Sequence, residues 1–270
     1  MEKIKSFFKR HWVDILIIAI TLAALIALCA VIYVNFNFAK KIEIFKRYFF
    51  VNNGYKRLLT GMKNTGIIAV LGLVIGIVIG TLIAIVRVLR SDSRFAKYMK
   101  KVCALYVAFF RGTPIVVQLL VGYFIIFPLL SLTLPPVTAC VFIFGLNSGA
   151  YISEIMRGGI NSVDPGQLEA ARAVGMPFSV SMLKVVVPQA VKNILPTLGN
   201  EFIALVKETA VVGYVGAIDI TNAFQYQGSN SYEYMIPYLT MALIYIVVVA
   251  LIAGGVKLME RRLAKSERHN

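Results

Sequence analysis

The chain has 270 residues, 59% of them hydrophobic and only 15% charged, with a formal net charge of +15. A water-soluble domain carries about 45–50% apolar and about 25% charged residues, so the composition excludes a soluble globular class, a disordered chain and a collagen-like one. Cys29, Cys103 and Cys140 each stand alone in an apolar stretch; they exclude a disulfide scaffold or a paired metal motif and read as small buried hydrophobes.

In chain order, the first apolar segment spans 13–34, opened by Lys3, Lys5, Lys9, Arg10 and His11. Its apolar core is too long for a cleaved leader, and Leu28 before Cys29 spoils a lipoprotein cleavage box, so it reads as an uncleaved anchor. The second segment, 65–86, carries Gly72, Gly76 and Gly80 at four-residue spacing. That bare backbone stripe admits another helix closely, either within the subunit or from a second copy. The third apolar region is broken at Arg111-Gly112-Thr113-Pro114. It predicts a helix near the inner interface over 98–110 and a span over about 113–130, since proline suits a first helical turn. Further spans are expected at 137–156, 198–218 and 236–256, making six.

Lys and Arg near span ends are retained in the cytoplasm. The amino terminus, the 87–101 loop (Arg87, Arg90, Arg94, Lys97, Lys100, Lys101), the 157–192 loop and the tail (Lys257, Arg261, Arg262, Lys265, Arg268) fall on one side, which puts both termini inside. The opposite side receives the 131–136 turn and the 219–235 loop, with Asp219, Glu233 and no cation. One loop runs against the rule: Lys40, Lys41, Lys46, Arg47, Lys56, Arg57 and Lys63 fall outside. Charge placed at span ends, with no soluble basic patch, excludes nucleic acid as a partner.

The 157–192 loop has more pattern than a slack linker. Gly158 and Gly159 lead to Asn161-Ser162-Val163-Asp164-Pro165-Gly166-Gln167, then to Leu168-Glu169-Ala170-Ala171-Arg172-Ala173-Val174, a short Ala-rich helix stopped by Gly175. Pro188 interrupts a second apolar run over 180–187. Ala170, Ala171 and Ala173 leave one face thin enough to lie in a partner's groove, with Glu169 and Arg172 at its rim. The same helix would equally cover the underside of the bundle.

These residues resemble a known family. Glu169-Ala170-Ala171, three residues, Gly175, nine residues, then Val185, Val187 and Pro188 look like the EAA signature of permeases in ATP-binding-cassette (ABC) importers. Phe110-Arg111-Gly112-Thr113-Pro114 with Gln118, Asn147 to Glu154 with Arg157-Gly158-Gly159, and Asn200-Glu201-Phe202 with Lys207-Glu208-Thr209 look like its polar amino-acid branch, the histidine, arginine and glutamine permeases. Val185 and Val187 replace the usual Ile and Leu, Glu208 an Asp, and Ala210 a common Ser.

The resemblance implies an all-α integral membrane fold: a five-helix permease core over 58–264 with a cytoplasmic EAA loop over 157–197. An extra amino-terminal helix and basic loop would occupy 1–57, and a cytoplasmic tail 265–270. It implies a bacterial cell membrane, a dimer of separate ATPase subunits docked through Glu169, Ala170, Ala171 and Gly175, and a second permease, identical or a paralogue. An extracytoplasmic binding protein would deliver the amino acid. No catalytic residue, metal or cofactor is expected: there is no Gly-x-x-x-x-Gly-Lys-Ser/Thr loop, and His11 and His269 are terminal.

The substrate path should hold the polar residues that lipid rejects, because an ionisable group at this depth costs about 2.5–3.5 kcal/mol on insertion scales. Candidates are Gln118, then Asn147, Tyr151 and Glu154 on one helix face, then Glu201, Lys207 and Glu208. Lys207 and Glu208 are adjacent, on different faces, and read more readily as structural ion pairs across helices than as substrate contacts. Glu154 has two readings, acceptor of an amino group or anchor of the loop through Arg157 at i+3. The competing class is an ion-coupled secondary amino-acid transporter, which often shows two matching halves; none is visible here.

Overall fold

The computed structural model describes residues 2–35, 37–88 and 93–267. Arg90, Arg268, His269 and the side chains of Lys3, Lys5, Lys9, Arg10, His11 and Lys265 lie outside the described residues. The described chain is helical, in the order α1 (Glu2–Asn35), α2 (Phe38–Lys46), α3 (Gly54–Val88), α4 (Arg94–Gly112), α5 (Ile115–Val121), α6 (Phe127–Leu129), α7 (Pro136–Asn161), α8 (Pro165–Ala173), α9 (Phe178–Ser181), α10 (Val187–Glu208), α11 (Ile220–Ser231) and α12 (Met235–Glu267). Among the described residues four helical stretches are long and apolar enough to cross a membrane: Gly54–Val88, Pro136–Asn161, Phe178–Val215 and Met235–Arg262. The pair Arg94–Gly112 and Ile115–Leu129, bent by 106° at Thr113-Pro114, makes a fifth if taken as one broken span. The sixth expected span corresponds to α1, whose described apolar run, Leu16–Val31, is shorter.

α3 and α7 run parallel along a glycine seam. A Cβ placed on Gly72 would stand 3.4 Å from Phe144 Cβ, one on Gly76 2.8 Å from Ser148 Cβ, and one on Gly80 2.8 Å from Ile152 Cγ2. The seam is reciprocal, since Gly145 and Gly149 of α7 receive Ile75 and Ile79 of α3. The stripe therefore packs within the subunit, the first of its two readings. α10 runs antiparallel to α7, with Ile194 against Gly159 and Glu201 against Ser148. Where α3, α7 and α10 meet, Ile68, Phe144, Leu119, Leu205 and Val212 form the main core.

Segment five starts well before residue 198. Pro188 does not end the helix: it has no N–H to offer the Lys184 carbonyl, and the π-helical turn Met182–Val186 absorbs the missing bond, so one span runs from Phe178 to Val215. The same device, turn Gly122–Ile126, precedes Pro128. Cys29 also departs from expectation: Cys103 and Cys140 are buried, but Cys29 is exposed, on a helix whose described side chains are exposed throughout. None of the described side chains of α1 is buried.

The basic 36–64 segment sits at the same end of the bundle as the 219–235 loop. Lys41 Nζ pairs with Glu233 at 3.1 Å. Arg57 donates to Asn222 Oδ1 at 2.7 Å and stacks on Tyr226, 4.1 Å from the ring centroid. Asn64 donates to the Ile218 carbonyl at 2.8 Å. α11, absent from the expected elements, is the scaffold here: Asp219 caps it by accepting from Thr221 and Asn222 backbone N–H groups at 2.9 Å each.

Candidate functional site

The polar residues of α7 separate by depth. Asn147 is buried near the middle of the helix. Beside it the hydroxyl of buried Ser148 donates to Glu201 Oε1 at 3.0 Å, and Ser148 also faces Gly76. A carboxylate of α10 is thereby held at the junction of three spans. One turn on, the Tyr151 ring lies under the Arg111 guanidinium of α4, 5.4 Å from its carbon.

Glu154, a further turn on, is fully engaged. Arg157 donates Nε and Nη2 to Oε2 at 3.0 and 2.6 Å, and Arg87 of α3 donates Nη1 to Oε1. Of the two readings of Glu154, this geometry supports the anchor, which clamps the end of α3 to the end of α7.

Gln118 shares its amide hydrogens among Phe110 O, Thr113 O and Thr113 Oγ1 at 2.8, 3.0 and 2.9 Å. It closes the carboxyl end of α4 at the bend, satisfying carbonyls that lipid cannot. Its Oε1 is buried with no partner among the described residues, at an otherwise largely apolar cavity of about 390 Å³ with Phe109, Val117 and Leu146 among its walls. Lys207 and Glu208 do not form the ion pairs expected of them: among the described residues neither lies in a salt bridge; Lys207 is exposed, and Glu208 ends α10 where the chain tightens into a 3₁₀ turn over Thr209–Val215.

α8 hangs beneath the Glu154 clamp and is fixed at both ends by its own sequence. Asp164 accepts from Gly166 N–H at 2.8 Å, with Pro165 in the first turn. At the other end Gly175, at φ 84°, donates to Arg172 O at 3.0 Å while Met176 N–H reaches Ala171 O at 3.2 Å, the paired bonds of a Schellman stop. Arg172 Nη1 adds a bond to Met176 O at 2.9 Å. Leu168 and buried Ala171 turn inward, Leu168 joining the cluster of Val163, Val186, Ala190 and Ile194. Glu169, Ala170, Arg172 and Ala173 remain exposed. Of the four expected coupling residues, Ala171 thus seats the helix, Gly175 stops it, and Glu169 and Ala170 face outward.

Sequence reasoning missed Ser148, Arg87 and Arg111 as partners of the polar residues. Ser148, a hydroxyl in mid-span between Asn147 and Gly149, carried a readable signal. Arg87 and Arg111 read only as span-end cations, since their partners lie on another helix.

Among the described residues no group of three or more His, Cys, Asp or Glu is placed to hold a metal ion. Four or five helical stretches of membrane-spanning length and apolarity, packed around a carboxylate, define the class of multi-pass membrane proteins. The profile of the family described as binding-protein-dependent transport system inner membrane component matches residues 72–265. An arginine transport system permease protein of Bacillus subtilis is 37% identical over 210 residues, covering 78% of this chain and 94% of the relative. A Rickettsia typhi protein that carries the name of a glutamine transport system permease is 37% identical over 195 residues, covering 72% and 87%. The crystal structure of an amino acid ABC transporter with histidines superposes with a TM-score of 0.72 at 38% identity, over 78% of this chain and 96% of that one. The chain therefore belongs to the inner-membrane permeases of binding-protein-dependent ABC import systems. α1 and α2 lie outside the matched profile.

Proposed function

We propose that this chain is the permease of an ATP-driven importer for a polar amino acid, basic or zwitterionic, working beside a second permease, identical or a paralogue. The relatives' names and the transporter that superposes at 38% identity support the substrate class. The observation that carries the mechanism is α8, a helix closed at both ends that turns Leu168 and Ala171 inward and leaves Glu169 and Ala170 outward. On this reading the outward face docks into an ATPase subunit. ATPase dimer closure is transmitted through the cluster of Leu168, Val186, Ala190 and Ile194 into α10, and the Glu154 clamp carries it to α3 and α7. The path runs along Asn147, Tyr151 and Glu201, with the oxygen of Gln118 at its side; Lys207 and Glu208 line its outer part. The α8 end is cytoplasmic, as are both termini, and the 36–64 segment faces the binding protein's side.

Uptake by proteoliposomes holding permease, ATPase and binding protein tests this. Labelled arginine, glutamine and histidine should enter only with ATP inside, compete with one another, and be insensitive to a protonophore. Uptake driven by an ion gradient without ATP would instead identify a secondary transporter.

A further inference from the structure

Seven cations lie between Lys40 and Lys63, and two of them, Lys41 and Arg57, find partners in the 219–235 region. The other five, Lys40, Lys46, Arg47, Lys56 and Lys63, are exposed, and among the described residues none of them lies in an ion pair. The acids of the two segments do not balance them: Glu43 alone is exposed, Glu233 is held by Lys41, and Asp219 is buried as the cap of α11. This end of the bundle therefore presents a net positive surface. It precedes the residues that match the family profile.

α3 shows what this surface meets. Lys56, Lys63 and Val70 follow one another at seven-residue spacing, two helical turns each, so they share one face. The exposed Val70, Val74, Val78 and Ile85 carry that face on as an apolar flank. Residues 64–86 carry no charge and rise about 35 Å, close to the hydrocarbon core of about 30 Å. With Arg87 at its other end, the flank sets Lys63 at the hydrocarbon edge and Lys56 about 10 Å further out, among headgroups. Tyr55, whose ring centroid lies 6.0 Å from Lys56 Nζ, and the exposed Tyr234 and Tyr238 at the start of α12 lie at the same end, as aromatic residues do at membrane interfaces. The two lysines thus look sideways into the bilayer surface, rather than over the top of the bundle where a soluble protein would land.

We propose that Lys56 and Lys63 bind anionic phospholipid headgroups at the end of the bundle opposite α8, with Lys40, Lys46 and Arg47 adding to the field that draws them. The acyl chains of the bound lipid lie along Val70 and Val74. Every phospholipid offers a phosphodiester, but a zwitterionic headgroup carries its own cation beside it, so the net negative charge is what the lysines select. That is the role left for cations on a side where the charge rule expects few. On the proposed topology this is the extracytoplasmic leaflet; the site itself requires only the membrane-spanning fold, not the transported substrate or the energy source.

The test exploits the chain's single tryptophan, Trp12. Full-length permease carrying Trp12→Phe and Val70→Trp is placed in lipid nanodiscs, and its fluorescence quenching by chain-brominated phosphatidylglycerol is compared with that by chain-brominated phosphatidylcholine. The Val70→Trp reporter should show phosphatidylglycerol preferred by about fivefold, the effect of one lysine near an anionic surface. Lys56→Gln with Lys63→Gln should bring the ratio close to one, and Lys56→Arg with Lys63→Arg should keep it. A Leu82→Trp reporter in the other half of α3 should be indifferent to both pairs of substitutions. A ratio near one with both lysines present, or a preference that survives the two glutamines, overturns the proposal. Quenching of the Val70→Trp reporter by neither lipid overturns it too, since protein would then cover the flank. So does weaker binding-protein association in Lys56→Gln with Lys63→Gln at an unchanged lipid ratio, which would assign the lysines to a soluble partner.

Discussion

At Gly80 a Cβ would stand 2.8 Å from Ile152 Cγ2 and 2.9 Å from the Ser153 backbone nitrogen, whereas at Gly175 nothing lies within 4 Å and the exclusion comes from a φ of 84°. The first glycine is required by what packs across the seam, the second by the handedness of its own backbone. The α3–α7 seam is thus held by long-range contact and fails as a unit, while α8 is held by local devices and can be altered without unfolding the bundle. A transport subunit needs both, a stiff span pair and a displayed helix whose end can be set independently.

The largest effect should come from Gly80→Val. Forcing a branched side chain into the seam costs about 1–3 kcal/mol or more, and the seam backbone has no room to yield. The expected result is loss of monodisperse protein after solubilisation, or a markedly lower unfolding temperature. Gly175→Val should leave the main unfolding transition in place, since only α8 sees the strain of about 1–2 kcal/mol. It should nevertheless abolish ATP-driven uptake and ATPase association, and Gly175→Asn should restore much of both because Asn tolerates this conformation. Equal loss of folding in Gly80→Val and Gly175→Val would erase the distinction between the two regions.

Glu154→Gln sharpens the comparison at the point where the two regions join. It leaves Arg87 and Arg157 facing each other without their shared carboxylate, at a cost of about 1–2 kcal/mol once partial solvent exposure is allowed for. The unfolding temperature and maximal uptake should fall while the apparent KM for substrate stays unchanged. A raised KM with normal stability would return Glu154 to the substrate path.

The start of α8 was misplaced, since Asp164-Pro165-Gly166-Gln167 reads as a turn before a helix from Leu168, whereas the helix begins at Pro165. The spans seen as α3, α7 and α12, the break at Thr113-Pro114 and the Gly175 stop of α8 were legible in the sequence because each is written in neighbouring residues: apolar length, a proline, a Gly stop. The start of segment five was not. Pro188 looked like a terminator, and only the π-helical turn before it allows the helix to pass. Gln118 looked like a path residue because it is polar in an apolar run, and its service to the carbonyls of Phe110 and Thr113 depends on the 106° bend bringing them back to it. The cations between Lys40 and Lys63 resisted the charge rule for a related reason: the partners of Lys41 and Arg57, Glu233 and Tyr226, come from the other end of the sequence.

Asp164 and Asp219 repeat the opening contrast on a smaller scale, since both cap a helix, one exposed and one buried. Burial pushes the Asp219 carboxyl up from its ordinary range, with the bonds from Asn222 and Thr221 backbone N–H groups opposing it. A raised carboxyl favours the folded protein when protonated. Its stabilising contribution is present in full below the unfolded value and is lost as pH rises through the folded one. Asp219→Asn keeps a competent cap and removes the charge. The variant should match the unmodified protein at acidic pH and become relatively more stable on going from about pH 4 to about pH 8. The gain should be on the order of 2–4 °C in unfolding temperature. A pH profile of Asp219→Asn that runs parallel to that of the unmodified protein would mean that the Asp219 site is wetter than its burial implies.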